Sequence, residues 1–253
     1  MTSLLVLGAA GSGKTTLVKA LSVYLRQKMN DINVFTCNLD PGSDDTFSWD
    51  KDIRNIFTIK EIMNKYNIGP NGAIEKAYSL LMDRIDDLFE NIEDSNFNYL
   101  IIDAPGQLEP LIFTETGNKL LEKLNKCFND LIGVFLMPGD ILNVPSNYAF
   151  LLLVLSGLHL KINIPLIHVI SKHDLLETKT LTYLQDPKSL KRELISEQAG
   201  ELTDFTLQAS EMVQNLLPVI NLVKISIQDG KSRDFDDLLG LIDETKCSCG
   251  DLS

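Results

Sequence analysis

Residues 8–15 read GAAGSGKT and stand between a short apolar run, 3–7, and a stretch of helical periodicity, 16–28. A glycine-rich turn joining a buried strand to a helix aims several backbone N–H groups at one spot, and the helix dipole adds to their pull on an anion. Side chains at the turn would block that approach, so Gly8, Gly11 and Gly13 leave the backbone bare. Lys14 supplies a point charge for the β- and γ-phosphates of a nucleotide, and the Thr15 hydroxyl is suited to ligate Mg²⁺. Ser12 and Thr16 complete the phosphate-binding set read from this segment.

Six apolar runs, 4–7, 34–39, 99–102, 131–137, 166–170 and 223–227, alternate with helical stretches. Continuous apolar strands separated by amphipathic helices predict a six-stranded, largely parallel sheet with helices on both faces, and together with the phosphate loop an α/β fold of the P-loop NTPase kind. Ligands of such sheets bind beyond the carboxyl ends of the strands. Four strands are followed there by GAAGSGKT, DPGSDD, DAPGQLE and SKHD. The stretch 41–98 interrupts the alternation as a helical insertion, with a short helix at 59–66, the tripeptide Gly69-Pro70-Asn71 and a longer helix over about 73–92. A second helical excursion spans 177–217, and 246–253 reads as a flexible tail. No Pro-rich or low-complexity linker divides the chain, so one domain over 1–253 is expected.

Asp103 ends the third strand and is followed by Ala104-Pro105-Gly106-Gln107. A carboxylate at a strand tip beside a phosphate loop suits a Mg²⁺-associated role. Gly106 then offers a bare N–H to a γ-phosphate, and Gln107 resembles the water-orienting glutamine of GTPases. Asp40, in Asn-Leu-Asp-Pro, ends the second strand and offers a second carboxylate to the metal or the attacking water. Ser171-Lys172-His173-Asp174 resembles the Asn-Lys-x-Asp guanine-reading motif. Asp174 would accept two hydrogen bonds from guanine that adenine cannot give, and Lys172 would lay its stem along the base. Ser171 departs from the usual Asn. Ser226, opening Ser-Ile-Gln-Asp-Gly after the last strand, stands where GTPases place a base-contacting loop.

The net charge of −12 and a sequence pI near 4.7 argue against direct nucleic-acid binding. Cys37, Cys127, Cys247 and Cys249 do not suggest a disulfide framework in a chain of this length. The greasiest run, 149–160, is too short to span a membrane and suits a buried or interface helix. The chain starts directly on its first strand, so no signal peptide is read and a cytoplasmic location without membrane attachment is expected.

With the phosphate loop, NLDP, the DxPGQ-like motif and SKHD in this order, and Gly69-Pro70-Asn71 in the insertion between strands two and three, the chain resembles the GPN-loop GTPases over nearly its whole length. That resemblance implies a homodimer in which each Gly-Pro-Asn loop reaches the partner's γ-phosphate region, with Asn71 acting in trans. It implies hydrolysis of GTP to GDP with Mg²⁺ held by Thr15, Asp103 and Asp40, and a catalytic set of Lys14, Asp40, Asp103, Gln107 and Asn71, joined by Glu109. It further implies a dimeric, nucleotide-controlled switch that assists assembly of a protein complex, with an RNA polymerase-related client. The short chain looks more like an archaeal member. The family typically has Pro at Ala9 and Thr at Ala104, and neither change removes a group essential to the chemistry. Arg54 and Arg84 are candidates for an arginine finger. Two other readings remain open at this level: a P-loop kinase, and a scaffold whose dimer is locked by nucleotide while hydrolysis is incidental.

Overall fold

A computed structural model describes residues 1–29, 31–90, 92, 96–128, 130–197, 222–227 and 232–250. They form two compact units, the first made of Met1–Leu136, Ile162–Leu166 and Ile242–Ser253, the second of Met137–Lys161 and Ile167–Leu241.

In the first unit, strand β1 (Thr2–Gly8) is buried along its whole length and pairs in parallel with β4 (Tyr99–Asp103) on one side and β5 (Leu131–Pro138) on the other. Burial on both faces explains why these strands read as continuous apolar runs. Beyond β4 lies β2 (Val34–Asn38), also parallel. The register sets Val6 and Asn38 both level with Asp103, so three strand ends converge where the phosphate loop begins. Beyond β2 lies a strand that the apolar pattern does not predict: β3 (Lys51–Asp52), pairing Cys37 with Lys51. The strands among the described residues therefore number seven where six were expected, and the insertion 41–98 is not wholly helical.

Helix α1 (Lys14–Lys28) starts inside the phosphate loop and buries Leu17, Val18, Leu21 and Leu25. Helix α2 (Ile59–Tyr66) opens on a capping box, Thr58 Oγ1 accepting from Glu61 N–H while Glu61 Oε2 accepts from Thr58 N–H. Helix α3 (Pro70–Phe89) begins three residues before the periodicity predicts, with Gly69 as cap and Pro70 in the first turn. It buries Ala73, Ala77, Leu81, Ile85 and Leu88, and Phe89 meets Phe128 edge-on at 4.9 Å. Helix α4 (Leu108–Phe113) turns directly into α5 (Glu115–Cys127) at Thr114, whose hydroxyl caps the Gly117 N–H.

In the second unit α6 (Gly139–Leu142) leads into α7 (Pro145–Lys161), then β6 (Leu166–Ser171), α8 (Thr178–Gln185), α9 (Pro187–Glu197) and β7 (Leu222–Ile225), followed by α10 (Ser232–Gly250), whose residues from Ile242 on belong to the first unit. β6 and β7 pair in parallel, Ser171 level with Ile225. α7 buries Tyr148, Leu152, Leu155 and Leu158 while Phe150 and Leu160 stay exposed. Tyr183 donates to the Leu142 carbonyl and lies against Tyr148. Of the excursion 177–217, residues 198–217 lie outside the described residues.

Residues 246–250, expected in a flexible tail, continue α10, and Lys246 Nζ donates to the Met1 carbonyl at 3.1 Å and Thr2 Oγ1 at 3.0 Å. Residues 251–253 lie outside the described residues. No described helix is long and apolar enough to cross a membrane.

A side chain at position 117 would meet the backbone carbonyls of Pro110 and Leu111. Gly117→Ala should therefore destabilise the protein by about 1–3 kcal/mol, which scales to a fall of several degrees in Tm for a chain of this size. Thermal unfolding followed by circular dichroism checks this, and an unchanged Tm would refute the close α4–α5 junction.

Candidate functional site

The phosphate loop has the backbone shape its glycines predict: Gly8, Gly11 and Gly13 have φ of 149°, 75° and 95°. A Cβ on Gly8 would stand 2.6 Å from Ser12 Oγ and 2.9 Å from the Leu136 carbonyl, so the loop could not close there around a larger residue. Ser12 is fully buried under the loop, Thr15 is half-buried and Thr16 is exposed on α1.

Lys14, 7% exposed, donates to the carbonyls of Gly8 at 2.9 Å, Ala9 at 3.1 Å and Gly106 at 3.3 Å. Burial lowers its pKa, opposed by the nearby charges of Asp103 and Asp40. Thr15 Oγ1 donates to Asp103 Oδ2 at 2.6 Å across 88 positions of sequence. The other Asp103 oxygen, Oδ1, is buried with no hydrogen-bond partner. Burial pushes the Asp103 carboxyl up to about 7, against the Thr15 bond and the Lys14 charge.

Among the described residues no cluster of three or more His, Cys, Asp or Glu side chains surrounds a metal position. Mg²⁺ does not require one: it usually takes one or two protein oxygens and keeps waters and substrate phosphates. The Thr15 hydroxyl and the unpartnered Asp103 oxygen are hard donors of that kind, so these residues fit the ion.

Asp40 sits in a chain of hydrogen bonds. Its N–H donates to Asn38 Oδ1 at 2.9 Å, and Asn38 Nδ2 donates in turn to Asp52 Oδ1 at 2.9 Å. Asp52 is forked by Arg54, whose Nε lies 3.0 Å from both carboxylate oxygens and whose Nη2 lies 2.6 Å from Oδ2. Arg54 Nη1 also holds the carbonyls of Ser43 and Asp45, at 3.0 and 2.7 Å. Arg54 is thus engaged within its own loop, and Arg84 pairs with Asp87 on the surface of α3. Arg54 is therefore not the uncommitted guanidinium that a finger must bring to the phosphate, whereas the Arg84–Asp87 pair is an exposed contact of the kind worth little.

The Asp40 carboxylate accepts from Gly42 N–H at 2.8 Å and is also stabilised by Gly106 N–H, while burial raises its pKa. The Gly106 amide, expected to face a phosphate, therefore faces Asp40, and a Cβ on Gly106 would approach Asp40 Oδ2 to 2.9 Å. Gln107 is exposed and caps α4 without a side-chain bond, and Glu109 is exposed two residues on. Asp40, Gly106 and Gln107 border a cavity of about 260 Å³ whose far wall is Ile74, Ala77, Tyr78 and Leu81 of α3. Gly69, Pro70 and Asn71 are exposed, with Asn71 in the first turn of α3.

In the second unit Lys172 adopts the left-handed conformation, φ 53°, between β6 and a short 3-10 turn. Asp174 is exposed and accepts from Ser226 Oγ at 2.6 Å, a bond that lowers its pKa. Lys172 Nζ stands 3.9 Å from Asp140. Ser171 Oγ reaches the Met137 carbonyl at 3.5 Å. Bracing of the loop falls to a residue that sequence reasoning missed: Asn143 donates to Leu175 O at 2.9 Å and accepts from Glu177 N–H at 3.0 Å and Thr180 Oγ1 at 2.7 Å. Asp234, also missed, accepts from Ser226 N–H at 2.9 Å and lies 3.1 Å from His173 Nε2. Residues 228–230, in the Ser-Ile-Gln-Asp-Gly segment, lie outside the described residues.

A family model described as a conserved hypothetical ATP binding protein matches residues 6–248. A GPN-loop GTPase of Pyrococcus abyssi is 31% identical, over 97% of this chain and 98% of its own. GPN-loop GTPase 3 of Dictyostelium discoideum is 29% identical over 90% of this chain and 81% of its own. Among solved structures, the apo form of a GTPase from Pyrococcus abyssi superposes with a TM-score of 0.80 at 29% identity, covering 98% of both chains. The family description names ATP where these relatives are named GTPases.

Asp103 supplies a test of the buried carboxylate. Its folded value of about 7 lies above the 3.8 of an unperturbed Asp, so between those values the folded protein keeps a proton that the unfolded chain has released. Its contribution to stability is complete below about 4 and is lost as pH rises through 7, a loss of roughly 2–4 kcal/mol. Asp103→Asn should flatten this slope, gaining stability over the parent at pH 8 in the absence of Mg²⁺ and nucleotide. Denaturant unfolding of both proteins from pH 5 to 8 checks it.

Proposed function

The chain belongs to the GPN-loop GTPase family, and on that premise we propose that it hydrolyses GTP to GDP and phosphate with Mg²⁺, as a cytoplasmic homodimer switched by its nucleotide. The observation that carries the phosphohydrolase reading is the 2.6 Å bond between Thr15 and Asp103 with the Lys14 ammonium beside it. Bound there through Thr15 and Asp103, Mg²⁺ would neutralise charge on the β- and γ-phosphate oxygens. Lys14 and the loop amides stabilise the transferred phosphoryl group. Asp40 and Gln107 orient the attacking water, with Gly106 between them as the peptide that follows the γ-phosphate. Asn71, exposed at the start of α3, acts on the partner's site.

The guanine preference rests on Asp174. Its bond from Ser226 favours the carboxylate form, which accepts from N1–H and N2–H₂ of guanine and would be left unpaired against adenine. The nucleotide state then acts through Gly106 and the loop after Asp40 on dimer geometry, in assembly of a protein complex with an RNA polymerase-related client and no direct nucleic-acid contact. The identity shared with the Pyrococcus abyssi protein over nearly all of both chains supports an archaeal-type member.

Phosphate release from GTP and ATP with Mg²⁺ is the direct test. GTP should be favoured at least tenfold, the worth of one well-placed hydrogen-bonded discrimination, and equal rates would overturn the base assignment. Asp174→Asn should weaken GTP by about tenfold or more and strengthen xanthosine triphosphate. Asn71→Ala should lower turnover far more than GDP affinity. Mixing it with Lys14→Ala subunits should restore part of the rate, since one of the two sites then has both its own Lys14 and the partner's Asn71. Absence of any rescue would refute action in trans.

A further inference from the structure

We infer that Tyr78 is a positioning residue for hydrolysis: by holding the main-chain carbonyl of Gln107, it ties the helix that begins at Gly-Pro-Asn to the residue that orients water. The inference rests on the hydrolytic role proposed for Gln107 and names what sets that residue's place.

Tyr78 is 2% exposed, in the middle of α3. Its hydroxyl donates to Gln107 O at 2.8 Å across 29 positions of sequence. The loop it reaches needs an external hold. Gln107 is exposed, its side chain makes no cap bond, and the helix it opens, α4, has only 6 residues. A short helix contributes little order to its own first turn. The Tyr78 bond therefore fixes the Gln107 peptide while leaving its side-chain amide available to a ligand. Burial raises the pKa of the phenol, and the charges of Asp40 and Glu109 add to the rise, so the hydroxyl stays protonated and remains a donor.

The bond also has a mechanical consequence. Asn71, Ile74 and Tyr78 follow one another at spacings of three and four, one stripe of a helix. Ile74 and Tyr78 line the cavity shared with Asp40, Gly106 and Gln107. Buried Ala73, Ala77, Leu81 and Ile85 pack the helix over its length, so it moves as a unit. About 10 Å of helix separates Asn71 from Tyr78. A shift of the Gly-Pro-Asn end is thereby carried to the Gln107 carbonyl through a single hydrogen bond. A partner subunit contacting Asn71 would set Gln107 by this route.

Tyr78→Phe removes the hydroxyl and keeps the ring that fills the cavity wall. It should lower kcat for GTP by about five- to thirty-fold, the range for losing one buried hydrogen bond in the transition state. KM for GTP and affinity for GDP should change less than about twofold, since the bond touches neither the phosphate loop nor the base. Gln107→Ala should abolish the effect: the double variant should turn over no more than about twofold slower than Gln107→Ala alone, whereas independent residues would multiply their losses. Amide hydrogen exchange at Leu108, Glu109, Leu111 and Ile112 should quicken in Tyr78→Phe.

Unchanged kcat, multiplied losses, or loss of GDP binding together with turnover would each overturn the proposal. Wild-type turnover in Gln107→Ala would instead sink the role given to Gln107. In that event, faster exchange at the same amides in Tyr78→Phe would still support the tether, and unchanged exchange would refute it.

Discussion

A carboxylate that is 1% exposed at the tip of a central strand sets the terms for its surroundings. Taking a charge out of water costs several kcal/mol unless partners replace the lost hydration. At Asp103 they are the Thr15 hydroxyl and the Lys14 ammonium, itself nearly buried. The register of the strands requires this meeting, because Val6 and Asn38 both stand level with Asp103 and the phosphate loop starts two residues after Val6. Buried charges held in this way seldom gain net stability over apolar packing. The arrangement is better understood as a cost carried for chemistry, and the unpartnered second oxygen of Asp103 points the same way.

Asp40 is held by different means. Its position is relayed from Arg54 through Asp52 and the fully buried Asn38. That relay explains the two-residue strand β3, which has no apolar side chain to bury and exists to bring Asp52 level with Asn38. It also explains why Arg54 is committed: its guanidinium supplies the fork for Asp52 and pins the carbonyls of Ser43 and Asp45 in the loop after Asp40. Lys19, from α1, meets Asp45 at 3.2 Å and joins this loop to the helix of the phosphate site.

Such relays mark the limit of what a sequence discloses. Buried parallel strands were legible because burial on both faces leaves an unbroken apolar run. The bounds of α2 were legible because Thr58 and Glu61 carry a local capping signature. The nearness of Thr15 and Asp103 follows from the strand-end rule although 88 positions separate them. β3 was not legible, since Lys51 and Asp52 become a strand only by pairing with β2. Asn143 and Asp234 were hidden for a related reason: each braces a loop from 34 or 61 positions away, and nothing next to either residue in sequence records the partner. Arg54 was misjudged from its charge alone, because a guanidinium on a loop looks the same in sequence whether free or forked. The start of α3 was placed late because Gly69 and Pro70, which punctuate a chain, here cap a helix.

Gly106 joins these threads. Its N–H faces Asp40 and its carbonyl accepts from Lys14, so one residue is gripped through both of its flanking peptides by the two charged groups beside the phosphate loop. A γ-phosphate would compete for both grips: its charge draws the Lys14 ammonium away from the carbonyl, and its oxygens are rival acceptors for the N–H. A Cβ at 106 would come within 2.9 Å of Asp40 Oδ2, so a larger residue there would have to displace that carboxylate. The next residue is Gln107, whose own carbonyl is tied to α3. On the proposed reading, movement at Gly106 would be transmitted in two directions, along the Asp40 relay to β3 and through Tyr78 to the helix that starts at Gly-Pro-Asn. A loop with a single anchor could follow the phosphate without consequence elsewhere. This one has three, and under the proposed switch a change at the phosphate would be felt in the insertion.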